Sequence, residues 1–93
     1  MAQAVTMYTK RTCPFCLAAR RLLSQKGVDY EEIAIDGQPE VRERMIEAAA
    51  GRHTVPQIFI GSRHVGGYDE MAALDSEGVL DDLLEGGSGD QSS

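Results

Sequence analysis

Both cysteines of the chain fall in one four-residue run, Cys13-Pro14-Phe15-Cys16, at a seam between two kinds of pattern. Before the seam, Ala4–Thr9 (AVTMYT) reads as a short strand, rich in β-branched and aromatic side chains. After it, the run from Pro14 to Lys26 reads as a helix. Pro14 suits a first-turn position because its missing N–H would be an orphan there anyway. Ala19, Leu22 and Leu23 give this helix an inward face, and Gly27 is a natural stop. A cysteine pair is thus expected at the point where a strand hands over to a helix.

The rest of the chain continues the alternation. Tyr30–Ile35 (YEEIAI) is a second strand with Ile33 and Ile35 on one side. Pro39–Ala50 is a second helix, with Val41, Met45, Ala48 and Ala49 at helical spacing and Gly51 at its end. Pro56–Ile60 (PQIFI) is a continuous apolar strand with both faces covered. Gly61-Ser62 makes a two-residue hairpin turn into Arg63–Gly67 (RHVGG). A third helix starts near Asp69, whose side chain can cap it, and Met71, Leu74, Leu80, Leu83 and Leu84 point inward along it. The order β-α-β-α-β-β-α predicts an α/β layered domain. Its first β-α-β should be a parallel unit and its last two strands an antiparallel hairpin in a mixed four-stranded sheet. Residues 1–85 form the expected domain, and 86–93 (GGSGDQSS) a flexible Gly/Ser-rich tail.

Charge is unevenly spread. The net charge is −6, yet residues 1–28 carry Lys10, Arg11, Arg20, Arg21 and Lys26 and no acid, while all fifteen acids follow. The cysteines lie in the one electropositive part of an acidic protein, which suits a small anionic substrate. The acidic balance argues against nucleic acid as a partner. No apolar run reaches the roughly 18 residues of a membrane helix, and no secretory signal pattern opens the chain, so the cytosol is the expected compartment.

In a reducing compartment a C-x-x-C pair has three readings. A structural disulfide would close so short a loop that it stabilises little, and stable disulfides are rare there. A closed zinc site wants four ligands, and only His53 and His64 are available, with His64 in an expected strand. A redox pair fits best. Unpaired N–H groups and the macrodipole at a helix start favour negative charge on Cys13, aided by Lys10 or Arg11. Cys16, one turn further in, is more deeply packed and less acidic. C-x-x-C beside a β-α-β pattern marks a thioredoxin-like redox motif.

Three stretches, YTKRTCPFC, TVPQIFI and GGYDEM, resemble the glutaredoxin family, in particular its small dithiol bacterial members of the glutaredoxin-3 type. The likeness covers roughly residues 3–84, with Phe15 where the commonest family form has tyrosine. It implies a thioredoxin-like fold and reduction of disulfides and glutathione mixed disulfides by glutathione, a co-substrate; no tightly bound cofactor or metal is expected. Cys13 would be the nucleophile and Cys16 the resolving thiol. Thr54-Val55-Pro56 would carry a cis peptide before proline and offer the Val55 backbone to the cysteine of glutathione. Gly67, Tyr68 and Asp69 would take its γ-glutamyl end, Phe15 would wall the site, and Lys10, with Arg42 as a further cation, would meet the glycine carboxylate. The expected partners are glutathione and disulfide-containing or glutathionylated proteins, met by a monomer. Two other readings stand beside this one: a redoxin reduced by a flavoprotein, and a glutathione-ligated iron–sulfur carrier, for which the family resemblance points to CGFS rather than CPFC.

Overall fold

A computed structural model of the chain describes residues 3–85. The predicted tail, 86–93, lies outside the described residues. Strand β1 (Val5–Thr9) is followed by α1 (Pro14–Gln25), β2 (Glu31–Ala34), α2 (Pro39–Ala48), β3 (Gln57–Ile60), β4 (Arg63–Gly66), α3 (Tyr68–Ser76) and α4 (Leu80–Glu85). The four strands form one sheet in the order β2-β1-β3-β4. β1 runs parallel to β2 and antiparallel to β3, and β3 and β4 form the antiparallel hairpin. This is the mixed four-stranded α/β layered domain that the element order predicts, and the fold is thioredoxin-like, as the family resemblance implies.

Alternation along the central strands decides the layers. Val5 and Met7 pair with Ile60 and Ile58, and all four face one side of the sheet. There they pack with Ala19 and Leu23 of α1, Met71 of α3, and Leu80, Leu83 and Leu84 of α4 in a single buried cluster. Thr6, Tyr8 and Phe59 point to the other face, where a cleft separates them from Ala48 of α2. Tyr8 and Phe59 meet edge to face at 5.9 Å between ring centres.

Polar bonds pin the loop that precedes the cysteines. Thr9, itself buried, donates from Oγ1 to Glu32 at 3.0 Å, and Glu32 accepts both Nε (2.9 Å) and Nη2 bonds from Arg20 of α1. The Arg11 N–H donates to the Asp36 carboxylate at 3.0 Å. The start of α1 is thereby tied to β2 and the loop after it.

The third helix departs from expectation in two ways. Gly67, not Asp69, is the N-cap of α3, so Asp69 stands two residues inside the helix with an exposed side chain. The capping contact comes from Glu70, whose Oε1 accepts the Gly67 N–H at 2.7 Å, the reciprocal half of a capping box. The single predicted helix is also two. Gly78, at φ +78°, turns the chain between α3 and α4, and the break lets Leu80, Leu83 and Leu84 all reach the core. Likewise α2 ends at Ala48 rather than Ala50, because Ala50 adopts φ +57°, a left-handed conformation.

That conformation costs an L-residue more than it costs glycine. Ala50→Gly should therefore raise stability in urea unfolding by about 0.5–1 kcal/mol. A loss of stability would show that the helix end is not left-handed at this position.

Candidate active site

Cys13 is the N-cap of α1, with extended backbone (φ −97°, ψ 115°), and Pro14 opens the helix behind it. The first turn of α1 contains no acid, so nothing there opposes the positive end of the helix. The thiol is half-buried and donates from Sγ to the Val55 carbonyl oxygen at 3.5 Å. The Val55–Pro56 peptide bond is cis. Cys16 is fully buried. Burial above all pushes its thiol up to about 11; a backbone hydrogen bond from Lys10 opposes this, and the neighbouring Cys13 sulfur adds to it. Both cysteines are free thiols. One is reachable from solvent, and the other keeps its proton at neutral pH.

A groove of about 260 Å³ includes Val55, whose carbonyl meets the Cys13 sulfur, though neither cysteine is among its lining residues. Its walls are Phe15 from α1, Thr54, Val55 and Pro56 from the loop before β3, and Gly67, Tyr68 and Asp69 from the start of α3. Seven residues singled out from the sequence thus share one surface. Lys10 is exposed, and neither it nor Arg42 on α2 is among the residues lining the groove.

Two lining residues had no signal in the sequence: Arg52 and Glu70. Their charged groups lie 3.6 Å apart across the groove's end. The Gly67 N–H, and then burial in opposition and Arg52 in support, set the Glu70 carboxyl below its usual range. Gly66 precedes this turn at φ +115°, a conformation that favours glycine, and a Cβ there would crowd the flexible ends of Arg52 at 3.0 Å and Glu70 at 3.1 Å. Asp69 remains exposed in the groove, and the N–H groups of Tyr68 and Asp69 are first-turn donors without partners within the helix.

Behind the groove wall lies a buried polar chain. Gln57 is fully buried; its Nε2 donates to the Thr54 carbonyl at 3.0 Å and to Thr54 Oγ1 at 3.2 Å. Its Oε1 therefore faces His64 of β4, whose Nε2 lies 2.7 Å away and must carry the proton. The His64 ring stacks on Phe59 at 4.9 Å. Burial, with Arg52 in support and Glu70 in opposition, lowers its pKa and keeps it neutral at neutral pH. Among the described residues no group of three or more metal-ligating side chains comes together.

The raised Cys16 value has a consequence for stability. Between pH 9.0 and about 11 the unfolded chain loses the Cys16 proton while the folded chain keeps it, so stability falls as pH rises through that window. Urea unfolding below and within the window should show the fall, and Cys16→Ala should make it shallower. Identical pH slopes in the two proteins would contradict burial as the cause.

Comparison with known proteins agrees with this geometry. The glutaredoxin family model matches residues 5–65. The chain is 54% identical over 81 residues to glutaredoxin 3 of Escherichia coli, covering 87% of this chain and 96% of that one. The solution structure of glutaredoxin from Brucella melitensis superposes with a TM-score of 0.81 at 49% identity, covering 92% of each chain. A crystal structure of a buckwheat glutaredoxin–glutathione complex superposes with a TM-score of 0.79 at 28% identity, over 86% of this chain and 74% of that one. A buried and a reachable thiol one helical turn apart, on this sheet and with these relatives, place the chain in the glutaredoxin family, as an enzyme of the thiol–disulfide oxidoreductase kind.

Proposed function

We propose that the enzyme uses glutathione to reduce glutathione mixed disulfides and protein disulfides, with Cys13 as nucleophile and Cys16 as resolving thiol. The observation that carries this reading is the position of Cys13 at the start of α1, its sulfur 3.5 Å from the carbonyl of Val55, a residue of the groove wall. The likeness to a glutaredoxin solved with glutathione supports it.

In the reaction, Cys13 sulfur attacks as the thiolate. Its proton leaves to solvent, and the anion accepts from the free N–H groups of Phe15 and Cys16, as N-cap side chains do. Attack on the glutathionyl sulfur of a substrate breaks the mixed disulfide, releases the protein thiolate, which takes up a proton, and leaves glutathione on Cys13. A second glutathione thiolate then attacks the glutathionyl sulfur. Glutathione disulfide departs and the Cys13 thiolate returns. With a protein disulfide, Cys13 first forms a mixed disulfide with the substrate. Cys16 gives up its proton and attacks Cys13 sulfur, the substrate leaves reduced, and two glutathiones later reopen the Cys13–Cys16 bond. Burial raises the Cys16 thiol, so it must give up its proton before this step.

The groove suits the tripeptide. The Val55 backbone pairs with the cysteine of glutathione, as an added strand would. The N–H groups of Tyr68 and Asp69 take the γ-glutamyl carboxylate at the start of α3, and the Asp69 carboxylate takes its ammonium. Phe15, 58% exposed, covers the sulfur from the solvent side. Lys10 reaches the glycine carboxylate from outside the groove, and Arg42 adds long-range attraction only. The protein works as a monomer in a reducing cytosol, with no resident cofactor.

Cys13→Ser should abolish turnover of a glutathione mixed disulfide, at least about 10³-fold, because no thiolate remains to attack. Cys16→Ser should keep most of that activity and lose reduction of protein disulfides by the intramolecular route. Equal loss in both variants would refute the division of roles. Turnover supported by thioredoxin reductase and not by glutathione with glutathione reductase would refute glutathione as reductant.

A further inference from the structure

We infer that Gln57, held at its far end by His64, is a positioning residue that turns the Thr54–Val55 peptide so that the Val55 N–H faces the groove. The inference rests on the glutathione reading above and assigns a task to two side chains that do not line the groove.

The geometry runs through one peptide plane. The Thr54–Val55 bond is trans, so its C=O and N–H point in opposite directions. The Thr54 oxygen is held from the protein interior by Gln57 Nε2 at 3.0 Å. The Val55 N–H must then point away from the interior, and among the described residues no hydrogen bond uses it. Its neighbour, the Val55 carbonyl, already faces Cys13 sulfur at 3.5 Å. The loop thus offers a donor and an acceptor side by side next to the nucleophile, the pattern that an extended peptide pairs with.

Gln57 can hold that plane only in one of its two amide orientations. Turned over, its Oε1 would face the Thr54 carbonyl oxygen, two acceptors with no donor between them on a fully buried side chain. The Thr54 carbonyl, which can only accept, requires Nε2 on its side, and His64 then occupies the other end of the amide, its Nε2–H donating to Oε1 at 2.7 Å. The ring itself is fixed by stacking on Phe59, with Arg52 and Glu70 as the charges that face it. The Thr54 hydroxyl, at 3.2 Å from the same Nε2, closes the arrangement. A buried amide with both ends occupied is costly to reorient, because any other state leaves polar atoms unpaired.

The test uses S-methylglutathione, which carries the tripeptide without a reactive thiol, and follows the Val55 amide resonance during titration of the whole protein. In the wild type that resonance should shift on binding. Gln57→Met keeps the length and removes the donor; the apparent Kd should rise about tenfold, with a matching rise in glutathione KM and little change in kcat. Cys13 alkylation by iodoacetamide should stay within about twofold, since its own surroundings are untouched. His64→Phe keeps the stack on Phe59 and leaves Gln57 Oε1 without its donor, loosening the amide; the Kd should rise about threefold, and this half-buried position decides the matter if Gln57→Met does not fold. An unchanged Kd in the folded variants overturns the inference, as does a parallel loss of Cys13 alkylation, which would mean general disorder of the site. Wild-type protein that shows no shift with S-methylglutathione overturns the glutathione reading itself and this inference with it.

Discussion

The site depends on the antiparallel pairing of β1 with β3. Tyr8 near the end of β1 lies opposite Gln57 at the start of β3. The residues that follow β1 and those that precede β3 must therefore emerge from the same end of the sheet, which brings Cys13 to within 3.5 Å of the Val55 carbonyl across 42 residues of chain. The hairpin extends the arrangement, since Gly66 lies opposite Ile58 and α3 starts from that same end. A parallel β1–β3 pair would have sent the cysteines and the proline loop to opposite ends.

The apolar cluster holds this pairing from one side only. Val5, Met7, Ile58 and Ile60 are covered by α1, α3 and α4, so the helix that carries the cysteines is packed directly on the strands that aim them. Cys16 lies on the buried side of α1, and its raised value follows from that placement. The same helix thus creates a difference between two chemically identical thiols: its start faces solvent and its inner face is dry.

Much of this was legible in the chain. Period and punctuation located the elements because Pro14, Gly27, Pro39 and Gly61-Ser62 act within a few residues of themselves. The cysteine pair at a strand-to-helix seam was equally local. Asp69 misled because a capping residue is recognised by type, and Gly67, which has no side chain to signal it, took the position while Glu70 supplied the contact. The break at Gly78 was also local, yet a glycine inside a helical pattern reads either way until the leucines beyond it must reach the core. Arg52 and Glu70 looked like ordinary surface charges, since only the fold brings residues 18 apart to 3.6 Å.

Sequence alone determined the element order as far as the third helix, the position of the two thiols at a helix start, and the three short motifs that resemble one family, because each rests on the chemistry of a few adjacent residues. Tertiary structure decided which strand ends meet, that Lys10 and Arg42 stay outside the groove lining while Arg52 and Glu70 enter it, and that Gln57 and His64 are joined behind the proline loop. Those outcomes depend on sheet order and strand direction, which bring together atoms whose separation along the chain carries no record of their contact.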